Sequence, residues 1–368
     1  MNMLHRMSLS GYKSIRHLED LEFAQLNVLI GANGAGKSNL IAFFKMLNFS
    51  MTNSLKEYVA RAGYANSILY RGSQVTKQIT ASLSFQRPQG HNIYELSLTH
   101  SDNSLIFTEE AVTWHKEGMQ RPKRTSLGVG VDRTLLNDPK RLQDATVKEV
   151  RRLLVSARVY QFHDTSPTSP LRSKWNINDN RYLFDHGGNL APMLYYLREK
   201  RPETYDVIVN TIRLAAPTFE DFALEPDRLN PDVIDLRWRE KESSYELGPH
   251  QISDGTLRFM ALVTLLCLPP NELPGLMIID EPELGLHPAA IGVLGELIKA
   301  ASASVQVFVS TQSVTLVNQM DLGDVMVAER EDGQSVFRRL SADELEPWLE
   351  DYSIGELWEK NLLGGRPR

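Results

Sequence analysis

The sequence predicts an α/β fold: a core with a parallel sheet, flanking antiparallel strands and a helical insertion lobe. Three observations carry that expectation. An apolar run, Leu26 to Ile30, leads through a glycine-rich turn into a helically spaced segment. Strand–helix–strand alternation returns after about residue 250, which implies parallel strands joined by right-handed crossovers. Between these blocks the pattern first alternates and then becomes helical.

Taken in order, Ser38 to Leu47 places Leu40, Ile41, Phe44 and Leu47 on one helix face. From Gln78 to Trp114 the runs ITASLSF and IYELSL alternate, as antiparallel strands with one exposed face do. Residues 115–135, rich in Gly, Lys and Arg, read as a loop. A helix is expected from Asp138 to Leu154, then an apolar strand from Val155 to Phe162 and the polar loop HDTSPTSPLRSKWNINDNR. Helices over Asn189 to Lys200 and Pro202 to Ala215 precede a strand over Val233 to Trp238. The last block reads as a helix (Ser253 to Leu268), the strand GLMIIDEPE, a helix (Pro288 to Ala301), the strand VQVFVSTQS, a further helix and the strand DVMVAE. The expected organisation is therefore 1–114 and 251–368 as the two parts of one core, with 115–250 as a mainly helical insertion.

Composition narrows the class. With 368 residues, 42% hydrophobic and 23% charged, the chain is globular and long enough for about two structural units. Its 40 Lys and Arg against 46 Asp and Glu give a net charge of −6, so any basic surface is local. Such a surface falls between Ala111 and Arg201, where 17 basic residues face 9 acidic ones; Asp321 to Lys360 holds 12 acids and 4 bases. A single cysteine, Cys267, excludes an intramolecular disulfide and a cysteine-built zinc site, and reads as a buried thiol. The longest apolar stretch, Phe259 to Leu268, is about half the roughly 20 residues of a membrane span. A soluble, cytoplasmic protein is expected, with Gly364 to Arg368 as a flexible end.

The turn after the first apolar run is Gly31-Ala32-Asn33-Gly34-Ala35-Gly36-Lys37-Ser38, which fits GxxxxGK[ST], the Walker A pattern. Backbone N–H groups of Asn33, Gly34, Ala35, Gly36 and the start of the helix at Asn39 would curl around a phosphate. Lys37 would reach the β and γ phosphates of ATP, and the Ser38 hydroxyl would ligand Mg2+. Met277-Ile278-Ile279-Asp280-Glu281 is the matching Walker B element. Two carboxylates at the end of a core strand are costly unless a cation or hydrogen bonds hold them. Asp280 would hold Mg2+, and Glu281 would position or deprotonate the attacking water.

Two further motifs fix the order. Ser253-Asp254-Gly255 opens a helix 27 positions before Asp280, and Gln312, in Ser310-Thr311-Gln312-Ser313, stands 32 positions after it. With GYKSI, GANGAGKSNL, SDGTLRF, IIDEPELGLHP and STQS, the chain resembles the SMC/RecF/OLD-like branch of ABC-type ATPases, closest to its stand-alone bacterial AAA-family members. The resemblance is specific over about 1–50 and 250–368. It implies a P-loop NTPase core of ABC-ATPase type and an ATP-sandwiched homodimer, in which Ser253 and Gly255 meet the γ-phosphate bound by the other copy. It also implies that Gly285 to Pro288 form the D-loop and that Gln312 stands where a switch histidine is common. An amide can hydrogen-bond a phosphate or water but does not titrate near neutral pH, so hydrolysis is expected to be slow and stimulated by a partner. The residue near Mg2+ from the preceding strand is either Gln161 or His163.

The function expected is an ATP-gated clamp in a DNA-related process such as anti-phage defence or repair. Only 55 residues follow Ser313, too few for a Toprim nuclease, so a nuclease-like effector would be a separate protein. Arg172, Trp175 and Arg181 are candidates for nucleic-acid contact by stacking and phosphate binding. The alternative is an ATP-dependent module that holds or releases a protein partner without touching DNA. A transporter subunit is disfavoured by the SDGTL sequence, Gln312 and more than 200 residues between Ser38 and Ser253, so no membrane partner is expected.

Overall fold

The computed structural model describes residues 3–340, 345, 348 and 351–365. In chain order the elements begin β1 (Met3–Tyr12), β2 (Ile15–Glu22), β3 (Leu26–Ile30), α1 (Lys37–Met51), α2 (Leu55–Arg61) and α3 (Tyr64–Ile68). There follow β4 (Gln78–Arg87), β5 (Gly90–Ser101), β6 (Ser104–Lys116), β7 (Lys123–Gly128), α4 (Ala145–Ser156), β8 (Ala157–Tyr160) and β9 (Trp175–Asn176). Next come α5 (Leu190–Lys200), α6 (Pro202–Ala215), β10 (Phe219–Phe222), β11 (Val233–Ile234), β12 (Trp238–Glu240), β13 (Glu246–Leu247) and α7 (Asp254–Leu266). The rest are β14 (Leu276–Asp280), α8 (Pro288–Ser302), β15 (Gln306–Ser310), α9 (Val314–Val317), β16 (Val325–Glu331), β17 (Gln334–Arg339) and a short helix over Ile354–Glu359.

The chain forms two compact units, one of Met1–Val159, Pro274–Ile278 and Asp321–Arg368, the other of Tyr160–Leu273 and Ile279–Met320. The chain passes from one to the other within β8, before Pro274, within β14 and after Met320.

The first unit holds an antiparallel sheet in the order β2-β1-β4-β5-β6-β7. β4 buries every second residue, Ile79, Ala81, Leu83 and Phe85, as a sheet with one covered face requires. Helix α4 starts where the Asp144 carboxylate accepts from the Thr146 and Val147 amides, and buries Val147, Val150, Leu153 and Leu154 on one stripe. The expected helix over 138–154 is therefore shorter at its start. Residues 115–135 are not all loop, because β7 lies within them. β7 is an edge strand that buries only Leu127, so it lacks the apolar alternation that marks strands in sequence. It is held by Arg124, paired with Glu95 and Glu109.

Glu110 is fully buried in this sheet and accepts from the Tyr94 hydroxyl, the Thr134 hydroxyl and the Leu135 amide. The same unit contains β3, all five residues of it buried. It runs parallel to β16, with Val28, Leu29 and Ile30 opposite Val325, Met326 and Val327, and β17 returns antiparallel to β16. Gly364 and Gly365, read in sequence as a flexible end, pack against Glu329 and Val327, the Gly365 amide donating to the Glu329 carboxylate. Residues 366–368 of that expectation lie outside the described residues.

The second unit packs α5 to α9 with two small sheets, β10-β12-β13 and β9-β11. Pro202 at the first turn of α6 fixes its start, and Tyr205, Ile208, Val209 and Ile212 face inward. The strand expected over 233–238 is two strands, with β11 paired to β9 and β12 paired to β10. Cys267 is half-buried, and burial pushes its thiol up to about 11, which leaves it inert at neutral pH. Among the described residues no helix is long and apolar enough to cross a membrane.

Replacing Glu110 by Ala would strand three buried donors. We expect Glu110→Ala to cost on the order of 3 kcal/mol. Urea unfolding measures this, and a loss below about 1 kcal/mol would show that the cluster does not hold the sheet.

Candidate functional site: a P-loop and a cluster of buried carboxylates

The turn between β3 and α1 is a glycine-rich loop with one open side. Gly31, Gly34 and Gly36 have φ of +153°, +80° and +113°. A Cβ on Gly31 would lie 2.4 Å from the Ala328 carbonyl oxygen, and one on Gly36 would lie 2.1 Å from the Ser335 hydroxyl. A Cβ on Gly34 would meet nothing within 4 Å, which marks the open side of the loop. Asn33, Gly34 and Ser38 are exposed, Ala35, Gly36 and Lys37 buried. Lys37 Nζ donates to the carbonyls of Gly31 and Ala32 and closes the loop on itself. Helix α1 begins at this loop with neither a side-chain cap nor an acid in its first turn, so its positive end is left for an anion.

Asn39 turns from the loop toward a cavity of about 500 Å3 lined by Lys13, Ser14, Asn39, Arg71 and Arg330. Its amide donates to the Ser14 hydroxyl at 2.7 Å, and Ser14 in turn meets the Ser335 hydroxyl at 2.7 Å. Lys13 and Arg71 both sit in left-handed backbone, φ +46° and +53°. Burial and the nearby Lys45 lower the pKa of Lys13. Three cations around one cavity suit a phosphate-bearing ligand. The sequence reading included Asn39 here but missed Arg71 and Arg330, which carry no local motif, and Lys13, which lies in the quoted GYKSI but was given no role.

In the second unit the carboxylates and the candidate positioning residues come together. Asp280 is 5% exposed. Its Oδ2 accepts from the Gln161 amide at 2.7 Å, while its buried Oδ1 has no hydrogen-bond partner. Burial raises the pKa of Asp280 and the Glu281 charge adds to it; Gln161, His163 and the Ser310 hydroxyl, which stands near the carboxylate without meeting hydrogen-bond geometry, oppose this. A hard, buried carboxylate oxygen with an empty lone pair is a fitting ligand for a small oxygen-seeking cation. His163 Nε2 instead lies 2.9 Å from the Asp280 backbone carbonyl. That ring nitrogen donates to an oxygen and is not turned to a metal, so of the two candidates Gln161 is the one on the carboxylate. No group of three His, Cys, Asp or Glu arranged for a metal occurs among the described residues.

Glu281 has φ +44°, a left-handed conformation, and its amide donates to the Ser310 carbonyl at 2.8 Å. Gln312 donates its side-chain amide to the Glu281 carboxylate. Glu283, which the sequence reading did not single out, supports that contact. Its buried carboxylate accepts from the Thr311 hydroxyl at 2.7 Å and the Gln312 amide at 2.8 Å. Burial raises its pKa against those two hydrogen bonds.

Ser253 caps α7 through the Thr256 amide. Gly255 is required by close approach: a Cβ there would lie 2.3 Å from the carbonyl oxygen of Gly285. His287 caps α8 through the Ala289 amide. Two candidates for nucleic-acid contact are engaged within the chain. Arg172 is 8% exposed and spends its guanidinium on the Thr165, Pro249 and Ile252 carbonyls and the Asp254 carboxylate. Trp175 donates to the Pro170 carbonyl and packs among Phe184 and His186. Arg181 is exposed.

A family model described as "AAA domain, putative AbiEii toxin, Type IV TA system" matches residues 26–318, from the start of β3 past β15. The chain belongs to that family. Both the P-loop and the carboxylate cluster fall inside the family's span. Among solved structures the chain is similar to an Smc head bound to the C-winged helix domain of ScpA, at 16% identity, TM-score 0.61, 94% of this chain and 99% of that one. It is equally similar to the Smc head domain with an extended coiled coil bound to the C-terminal domain of ScpA from Pyrococcus furiosus, at 15% identity, TM-score 0.61, 95% and 99%. These likenesses fix the fold as that of an SMC head, an ABC-ATPase fold. No curated protein matches the sequence.

Burial raises the pKa of Asp280 and Glu283 in the folded chain, so folding favours their protonated forms. Stability from these groups is greatest at low pH and declines as pH rises through the carboxylate range toward the raised values. Asp280→Asn keeps an oxygen for Gln161 and removes the buried charge. Without ligand it should therefore melt above the parent at pH 7 and show a flatter pH profile; a lower Tm would contradict the assignment.

Proposed function

We propose that the chain is a Mg2+-dependent ATPase that converts ATP and water to ADP and phosphate. The observation that carries this reading is the buried Asp280 carboxylate with one oxygen held by Gln161 and the other left unpartnered. The P-loop of Asn33 to Ser38, with Gly34 open and α1 uncapped, supports the nucleotide half. Lys37 and the α1 amides bind the β and γ phosphates of ATP. Ser38 and Asp280 would hold Mg2+, which supplies neutralisation of the phosphate charge.

Glu281 accepts the proton of the attacking water, and Gln312 orients Glu281 by its side-chain amide. Glu283 fixes Gln312 from behind. Because Gln312 replaces a group that titrates, the rate is limited by how this pair is held. The assembly proposed is a homodimer with two ATP molecules, each closed by Ser253 and Gly255 of the other copy. ATP closes it and hydrolysis opens it.

The process proposed is DNA-related, defence or repair, with a separately encoded nuclease-like effector, in the cytoplasm. A second reading has one observation in its favour. Part of the basic excess between residues 111 and 201 is met by acids from outside that stretch, Arg124 by Glu95, Arg172 by Asp254, Lys174 by Asp227 and Arg201 by Glu272. That favours an ATP-dependent module that holds a protein partner, as the neighbouring Smc head is bound to part of ScpA.

Lys37→Ala should abolish ATP binding in a filter assay, and Glu281→Gln should bind ATP but lose about 100-fold or more in kcat. Unchanged turnover in Glu281→Gln removes it as the base. Duplex DNA retained by the ATP-bound Glu281→Gln protein should dissociate steeply as salt rises. No retention at low salt favours the partner-holding module.

A further inference from the structure

Arg258 stands one turn into α7, after Ser253 and Gly255, and its guanidinium is spent on two loops. Nε donates to the Phe162 carbonyl at 3.0 Å, and Nη2 to the His163 carbonyl at 2.8 Å and the Thr165 hydroxyl at 3.3 Å. Nη1 donates to the Leu284 carbonyl at 3.0 Å. The first loop is the one that carries Gln161 and His163 onto Asp280. The second is the turn that begins at Glu281. Together with His163, Asp280 and Glu281, Arg258 also lines a cavity of about 10 Å3, room for one water.

The two loops and α7 interlock at a further point. Gly285 has φ +75°, and a Cβ on it would lie 2.7 Å from Arg258 Nη1. A Cβ on Gly255 would in turn strike the Gly285 carbonyl. A guanidinium offers five donors in a rigid plane, so one side chain can fix two loops at once; an ammonium on a flexible stem cannot.

We propose that Arg258 is a positioning residue that ties the first turn of α7 to both loops flanking Asp280 and Glu281, so that the hydrolytic pair and Ser253–Gly255 move as one body. This rests on the ATPase reading above. A change in how Asp280 and Glu281 are held is then passed to the helix start without any contact between Ser253 and the carboxylates. Arg258 does not touch substrate; it acts through the Phe162, His163 and Leu284 carbonyls.

The test is steady-state ATP hydrolysis and ATP binding by the parent, Arg258→Lys and Thr165→Val, with amide exchange over 161–166 and 281–287. Arg258→Lys keeps the charge but cannot bridge both loops. It should bind ATP within about threefold of the parent and lose between about ten- and a hundredfold in kcat, the scale of a small misplacement of reacting groups. Faster exchange should appear in both loops together. Thr165→Val removes the one hydroxyl that accepts from Arg258 Nη2 and should lower kcat by about two- to threefold without change in binding.

Equal turnover in Arg258→Lys and the parent overturns the proposal. So does an equal loss of binding, turnover and Tm, which would mark the arginine as merely structural. Should Arg258→Lys fail to fold, unchanged kcat in Thr165→Val overturns it. A parent that binds no ATP at all sinks the ATPase reading instead, a result distinguishable from each of these.

Discussion

The second unit is organised around one costly object, the carboxylate of Asp280 at the buried end of β14. It is almost wholly buried, so each lone pair needs a protein partner or another ligand. One oxygen has the Gln161 amide; the other meets no hydrogen-bond geometry, with only the Ser310 hydroxyl near the carboxylate. The neighbouring residues make sense as the consequence. Glu281 escapes the strand by a left-handed turn, is tied by its amide to Ser310, and is oriented by Gln312, which Glu283 holds. Three acids within four residues, two of them with raised pKa, are a stored electrostatic cost. A bound cation would relieve it.

The P-loop in the first unit answers the complementary problem. Its glycines at Gly31 and Gly36 are dictated by neighbours a Cβ would strike, whereas Gly34 faces open space. Packing therefore fixes the two ends of the loop, and the middle stays available to a phosphate. Lys37, folded onto the Gly31 and Ala32 carbonyls, keeps its charge satisfied within the loop. Both halves thus show polar groups held in a geometry that suits a charged ligand more than it suits the folded chain alone.

How far this was legible in sequence depended on whether a signal was local. The β3–loop–α1 passage was readable because glycines, lysine and an apolar strand sit side by side; α6 was readable because Pro202 and a 3.6-residue stripe mark it. The edge strand β7 was not, since an edge with a polar face has no alternation to detect. Gln161 and His163 were equivalent in sequence, and only their hydrogen bonds separate them: one on the carboxylate, the other on a backbone carbonyl. Arg172 and Trp175 misled because a polar loop looks exposed, while the long-range carbonyls of Pro249 and Ile252 bury the arginine. Glu283 and Lys13 were missed although they lie inside quoted motifs, because what they meet comes from distant parts of the chain, and Arg71 because it lies outside any motif.

The central claim is that the unpartnered oxygen of Asp280 belongs to a cation that accompanies ATP. Calorimetric titration of ATP into the parent and into Asp280→Asn, each with Mg2+ and with a chelator, tests it most directly. The account predicts that Mg2+ strengthens ATP binding to the parent by about tenfold or more and leaves Asp280→Asn nearly unchanged. Equal affinity with and without Mg2+ in the parent, or an equal Mg2+ effect in both proteins, would contradict it.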